Sequence, residues 1–137
     1  MSEVTIAIYS REAGEEAELT LKGTLKQVAG RHHLLYEEEL DGEKIRNHLI
    51  LSEDSMEIRR SGAVESCMRF VPGMCTDFFY KNRYGSIPFR VRTEEYRLHG
   101  DACSLRVFLR YVLMTDEDSD SRPVELSVRE FRWNVQA

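Results

Sequence analysis

Apolar and polar residues alternate along almost the whole chain. Val4, Ile6 and Ile8 share one parity, with polar or small residues between them. A period of two places side chains on opposite faces of an extended strand, so this run predicts a strand with one buried face. Gly14, Glu15 and Glu16 mark the turn after it, and Ala17, Leu19, Leu21, Gly23 and Leu25 then resume the alternation. Gly23 falls on the inward parity in mid-strand, where glycine signals a bend or a close backbone approach. Leu34, Tyr36, Glu38 and Leu40 form the next inward set, and Asp41-Gly42 supplies a hairpin turn. Glu38 either frays into solvent at the strand end or keeps its inward place.

The segment RNHLILSEDSMEIRRSG divides at residues 52–55 into two short strands. Leu49 and Leu51 lie on a face of the first, and Met56, Ile58 and Arg60 on a face of the second. The stretch from Ile58 to Thr93 then carries the densest aromatic and arginine content, with turns at Ser61-Gly62, Pro72-Gly73 and Tyr84-Gly85-Ser86. Val64, Ser66, Met68 and Phe70 share a face, as do Phe78 and Tyr80, and then Ile87, Phe89, Val91 and Thr93.

Parity slips at Glu94-Glu95, where the apolar side passes to Tyr96 and Leu98; one extra residue there would be a β-bulge. After a turn at His99-Gly100-Asp101, the longest alternation runs through Cys103, Leu105, Val107, Leu109, Tyr111 and Leu113. The tract DEDSDSR at 116–122 reads as a solvated loop. Pro123 opens a last strand in which Val124, Leu126 and Val128 give way, after a second slip near Arg129-Glu130, to Phe131, Trp133 and Val135.

The pattern predicts eight to ten strands joined by short turns and no helix. Sequence neighbours should therefore pair antiparallel. A long meander leaves exposed edges, and closing the sheet into a barrel removes them. The expected fold is all-β, a single closed antiparallel meander barrel, with a β-sandwich as the other arrangement. A chain of 137 residues fits one domain over 1–137 with a real core.

Composition narrows the setting. The net charge of -5 argues against a general polyanion binder while allowing a local basic face. No apolar run reaches the roughly 18 residues a membrane helix needs. The N-terminus MSEVTIAIYS has an early acid and no basic region before an apolar stretch, so it reads as mature sequence. Cys67, Cys75 and Cys103 are an odd set without C-x-x-C. That argues against a disulfide framework or a structural zinc site and for free thiols in a reducing cytoplasm.

Several short motifs occur in order: I-R-R-S-G from Ile58, M-R-F-x-x-G from Met68, F-x-Y-x-N-x-Y-G-S from Phe78 and V-x-T from Val91. Arg60, Gly62, Met68, Phe70, Gly73, Tyr80, Gly85 and Thr93 carry them. HLLYEEEL at His33 to Leu40 and L-x-Y-x-L at Leu109 to Leu113 fit the same pattern. Together they resemble the YwiB-like bacterial family of unknown function, over about Thr20 to Val135. Asn82 departs from it, standing where that family usually has threonine. The resemblance implies a calycin-like, lipocalin-like β-barrel in a bacterial cytoplasm and implies no activity. Small apolar ligands are carried by other calycins, which is an argument from fold analogy.

By parity, Tyr36, Glu38, Arg60, Tyr80, Thr93 and Tyr111 are polar or semi-polar residues on inward faces, as is Thr76. Buried polar groups need partners, and an apolar cavity with a few convergent polar groups is what a ligand site looks like. These residues are the candidate ligand site, with Arg60 and Tyr80, joined by Glu38, orienting the polar end of a small, partly apolar ligand. The bland alternative is an Arg60–Glu38 pair and backbone-bonded tyrosines at one end of a barrel filled by side chains.

On the outward parity, Arg69, Lys81, Arg90, Arg92, Arg106 and Arg110 interleave with Phe79 and Phe108. Such a face could stack single-stranded bases, but Glu65, Asp77 and Glu94 stand ready to neutralise it, and the acidic total argues against nucleic acid. Phe79, Phe108, Val112 and Met114 would instead form an apolar patch suited to a homodimer or a partner. His32 and His33 are adjacent and face opposite ways, and His48 and His99 lack ligand spacing. No metal or cofactor is expected. Cys67 and Cys103 have no identifiable base, and H-E-x-x-H, G-x-S-x-G and phosphate-loop patterns are absent. A non-enzymatic role is the expectation, although a site assembled from distant strands would leave no spacing signature.

Overall fold

The structure is a computed structural model, and its described residues are 2–12, 14–100, 104–115 and 123–135. They form ten strands and no helix: β1 Ser2–Glu12, β2 Glu15–Val28, β3 Arg31–Leu40, β4 Glu43–Leu51, β5 Met56–Gly62, β6 Ser66–Phe70, β7 Cys75–Asn82, β8 Gly85–Gly100, β9 Ser104–Thr115 and β10 Pro123–Val135. Cys103, Asp101 and the acidic tract at 116–122 lie outside the described residues.

All ten strands join one antiparallel sheet in the order β6-β5-β4-β3-β2-β1-β10-β9-β8-β7. The chain thus runs outward from β1 to the β6 edge, resumes at the β7 edge and returns inward to β10, which pairs with β1. Turn chemistry sets much of this register. Asp41 and Gly42 both have positive φ, 52° and 79°, as a two-residue type I′ hairpin requires. That turn places Leu40 opposite Glu43 and Tyr36 opposite Asn47.

One face of the sheet is buried, and with no helix to cover it the sheet rolls onto itself. The Phe70 ring of β6 packs 5.0 Å from that of Tyr111 on β9, which is three strands away across the open edge and seven through the sheet. The core gathers Val4, Ile6, Leu34, Leu49, Leu51, Met56, Ile58, Phe70, Val91, Val107 and Leu109. Gly23 is the tight point: an added Cβ would lie 2.5 Å from the Leu35 carbonyl oxygen and 2.7 Å from Ile6 Cδ1. The close approach expected of a mid-strand glycine is therefore real.

The expectation of a closed barrel fails at one seam. β6 and β7, the two edges, form no ladder among the described residues. Met74 N–H donates to the Val71 carbonyl (3.0 Å) in a tight turn, and Thr93 of β8 then holds the turn. Gly73 N–H donates to the Thr93 carbonyl (2.9 Å), and Thr93 N–H donates to the Met74 carbonyl (3.2 Å). The turn is anchored on β8, so the strands leaving it part. Among the described residues they next exchange backbone hydrogen bonds at the reciprocal bridge between Glu65 and Lys81, with both bonds 2.9 Å. Within the gap, Thr76 donates its hydroxyl to the Arg69 carbonyl at 2.7 Å.

The bulge expected near Glu94 is present, with the β8–β9 register shifting between Thr93 and Glu95. The second expected slip, at Arg129-Glu130, does not occur. There β10 pairs without interruption with β9, and its register shifts instead between Pro123 and Glu125. Phe131 and Trp133 stand opposite Val107 and Leu105, whereas Leu126 and Val128 stand opposite Val112 and Arg110. The apolar residues at 126 and 128 therefore occupy the register of the outer wall, which is what imitated a slip. No helix of the described residues is long and apolar enough to cross a membrane.

Candidate functional site

Register aligns the inward residues in rows. Leu25, Leu34, Leu49, Ile58 and Met68 are successive partners across β2 to β6 and form an apolar row. The next row toward the β3–β4 turn is Gly23, Tyr36, Asn47, Arg60 and Ser66. The interior thus changes from aliphatic to polar within one row. Glu38 lies one inward position beyond it on β3.

Asn47 is the centre of this polar set and is 2% exposed. Its Nδ2 donates to Glu38 Oε1 at 3.0 Å, and its Oδ1 accepts from Arg60 Nε at 3.1 Å. A carboxylate can only accept and a guanidinium can only donate, so these partners fix the amide's orientation. Arg60 and Glu38 do not form the direct pair expected of a self-satisfied core; one amide holds them apart. Beside them opens a pocket of about 240 Å³ lined by Ile8, Ser10, Ala17, Glu18, Leu19, Tyr36, Glu38 and Arg60. Its rim includes Leu19, which is 47% exposed.

Of the sequence-predicted ligand residues, the structure brings together Tyr36, Glu38 and Arg60. Tyr80 packs against the core, and Tyr111 is buried against Phe70. Thr93 is 1% exposed, and its Oγ1 has no hydrogen-bond partner among the described residues. Its backbone is tied to the β6–β7 turn, away from the β3–β4 end where Glu38 sits. Asn47 and Ser10 were not among the predicted residues. The signal for Asn47 was available: it lies two positions before Leu49, and the Asp41-Gly42 turn sets it opposite Tyr36.

The outer wall differs from a basic face. Asp77 accepts from Arg90 Nε at 2.8 Å, Glu94 lies 3.5 Å from Arg92, and Glu95 lies 2.8 Å from Arg97 and 3.8 Å from Arg110. The Arg97 and Arg110 guanidiniums stand 4.7 and 5.7 Å from the Phe108 ring centroid. That ring is taken up by cations of the same chain. Arg106 lies one outward position further along β9, opposite His99. Arg69 and Lys81 flank the seam, where an open groove of about 610 Å³ also reaches Arg60, Cys67, Phe78 and Phe79. The expected apolar patch is broken up as well, because Val112 and Met114 are buried while Phe79 is 57% exposed. Val112 and Met114 stand beside Arg92 and Arg90 in register, and arginine stems are long enough to cover apolar neighbours.

The histidines hold one surprise. His33 Nδ1 and His48 Nε2 are 2.9 Å apart across β3 and β4. Cross-strand neighbours of this kind are invisible to spacing along the chain. Burial first, and then the nearby His33 imidazole and Arg59 guanidinium, hold His48 below the usual imidazole range. Close by, Cys67 Sγ donates to Glu57 Oε1 at 3.3 Å, and Glu57 also binds Arg59 Nε. Burial first, and then the bond to Glu57, push the Cys67 thiol up, which disfavours the thiolate a nucleophile needs. Among the described residues, no group of three or more His, Cys, Asp and Glu is arranged to hold a metal ion.

Comparison with known proteins adds the following. A family model described as "Domain of unknown function (DUF1934)" matches residues 3–124. The crystal structure of ywiB protein from Bacillus subtilis is similar over 99% of this chain and 93% of that one, with a TM-score of 0.85 and 24% sequence identity. That likeness speaks to the fold. No curated protein matches the chain.

Proposed function

The chain belongs to the DUF1934 family, a domain of unknown function, and we propose that it is a non-enzymatic binding protein for a small, partly apolar ligand. In this reading it is a single-domain cytoplasmic protein whose rolled sheet is calycin-like, broken only at the β6–β7 seam. The ligand sits at the β3–β4 end of the inner face. One observation carries the reading: Glu38, Asn47 and Arg60 form a bonded chain beside an open pocket whose other walls mix apolar Ile8, Ala17 and Leu19 with Tyr36, Ser10 and Glu18. Small-molecule sites combine apolar lining with a few placed polar groups in this way. A sheet built only to be filled would gain more from aliphatic residues at these positions, because each buried polar group costs free energy unless it is paired.

Native mass spectrometry of the protein purified from its own cells tests this. The expected spectrum carries an adduct that disappears on denaturation and is absent from Arg60→Met. A clean ligand-free mass would contradict the reading. It would favour the second one, a protein-contact surface on the outer wall. The observation behind that alternative is the pair of exposed aromatic residues on the β7–β8 hairpin, Phe79 on the outer wall and Tyr84 in the turn. A doubled mass would then point to a homodimer.

A further inference from the structure

The charges at the pocket carry the binding reading one step further, to the class of ligand. Arg60 engages Asn47 through Nε alone. Its two Nη groups have no partner among the described residues, so the forked end of the guanidinium is unclaimed. Glu38 engages Asn47 through Oε1 alone, which leaves Oε2 with acceptor capacity. The two opposite charges line one pocket and form no ion pair with each other. Asn47 sets their separation to the width of one amide plus two hydrogen bonds. Ile8, Ala17 and Leu19 supply apolar wall on the far side.

This arrangement discriminates by charge. A plain anion that reaches Arg60 brings its charge toward Glu38, with Glu18 also on the pocket wall. A plain cation that reaches Glu38 meets the Arg60 guanidinium. Each carries an unanswered like-charge contact, which is how a site rejects the wrong ligand. A molecule with both charges close together and an apolar body satisfies all of the walls at once. The volume, about 240 Å³, lies below the roughly 300–1,000 Å³ typical of drug-sized ligands.

We infer that the pocket takes a small amphipathic zwitterion, a free α-amino acid with an apolar side chain. Its carboxylate lies on the Nη fork of Arg60, where two parallel hydrogen bonds are available. Its ammonium lies on Glu38 Oε2, and its side chain lies against Ile8, Ala17 and Leu19. This inference rests on the binding reading above.

Calorimetric titration with L-leucine, 4-methylpentanoate and 3-methylbutylamine tests it, since the last two each keep one of the charges. Leucine is expected to bind at least about tenfold more tightly than either, a difference of about 1.4 kcal/mol. Arg60→Met should remove the advantage over the amine, and Glu38→Gln the advantage over the acid. Leu19→Trp, at the exposed rim, narrows the pocket while leaving Glu38, Asn47 and Arg60 unchanged in sequence, and should also weaken leucine about tenfold. If the acid binds as tightly as leucine, or Leu19→Trp leaves leucine affinity intact, the zwitterion is overturned. The same holds if none of the three compounds binds ligand-free protein. In each of these cases the adduct seen, or not seen, in protein from native cells still decides the binding reading separately.

Discussion

Asn47 does more for the interior than any other single polar side chain described. Replacing it with leucine leaves the Arg60 Nε donor and the Glu38 Oε1 acceptor without their partner. An unsatisfied part-buried charged group costs roughly 1–3 kcal/mol. Asn47→Leu should therefore lower stability by about 2–3 kcal/mol, read as a drop in the urea midpoint at unchanged slope. Two titrating residues give pH tests. His48 sits below the usual imidazole range, so the unfolded chain takes up its proton first as pH falls. Its contribution is present above about pH 6.5 and is lost below it. A His48→Gln variant should show a flatter loss of stability between about pH 7 and 5. Tyr96 is the opposite case. Its hydroxyl donates to the Ser52 carbonyl at 2.7 Å, and burial, then the Asp54 carboxylate, push the phenol well above its ordinary range. The unfolded chain then loses this proton first, so stability from Tyr96 falls away above about pH 10. Tyr96→Phe should remove that alkaline component, measured by denaturation between about pH 8 and 11. Parity alone was enough to nominate Tyr36, Glu38 and Arg60. It gave the face of a side chain and not its height in the rolled sheet, which is why Thr93 and Tyr111 were grouped with residues they do not join.

The strand elements were legible where turns and alternation agreed. Asp41-Gly42 set the β3–β4 register, and the slip at Glu94-Glu95 is a real bulge. The last strand differs because Leu126 and Val128 are apolar residues in outer-wall register, and alternation alone does not say which parity faces inward. A glycine in mid-strand signals either a bend or a close approach, and at Gly23 in β2 the geometry is a close approach with a consequence. Gly23→Ala would press a methyl against the Leu35 carbonyl and Ile6. Overpacking of this kind costs roughly 1–3 kcal/mol. Thermal unfolding of Gly23→Ala should show that loss, and a simultaneous Ile6→Val change should return part of it. An unchanged midpoint in Gly23→Ala would mean that the sheet yields at β2 more easily than the packing indicates.

At the scale of the whole molecule, the ten strands reach a buried inner face by rolling, with one seam left unladdered. The sequence pointed to closure because a meander with buried alternation has few other ways to cover itself. It could not show that the turn at Pro72-Gly73 would be drawn onto Thr93, since that contact joins residues about twenty positions apart. The bridge orients the amides of Cys67 on β6 and of Asp77 and Phe79 on β7 toward the gap. In hydrogen exchange they should lose protection early, while the bridged amides of Glu65 and Lys81 stay slow. On the outer wall Arg90, Arg92, Arg97 and Arg110 are held in exposed ion pairs that contribute little stability each. The most direct measurement follows the side-chain NMR signals of Arg60 Nε and Asn47 Nδ2 while a small-molecule extract of the native cells is added. The account predicts that both signals move together with the Ile8 and Leu19 methyls, while Phe79 and Arg97 stay in place. Movement confined to the outer wall, or no movement anywhere, would contradict it.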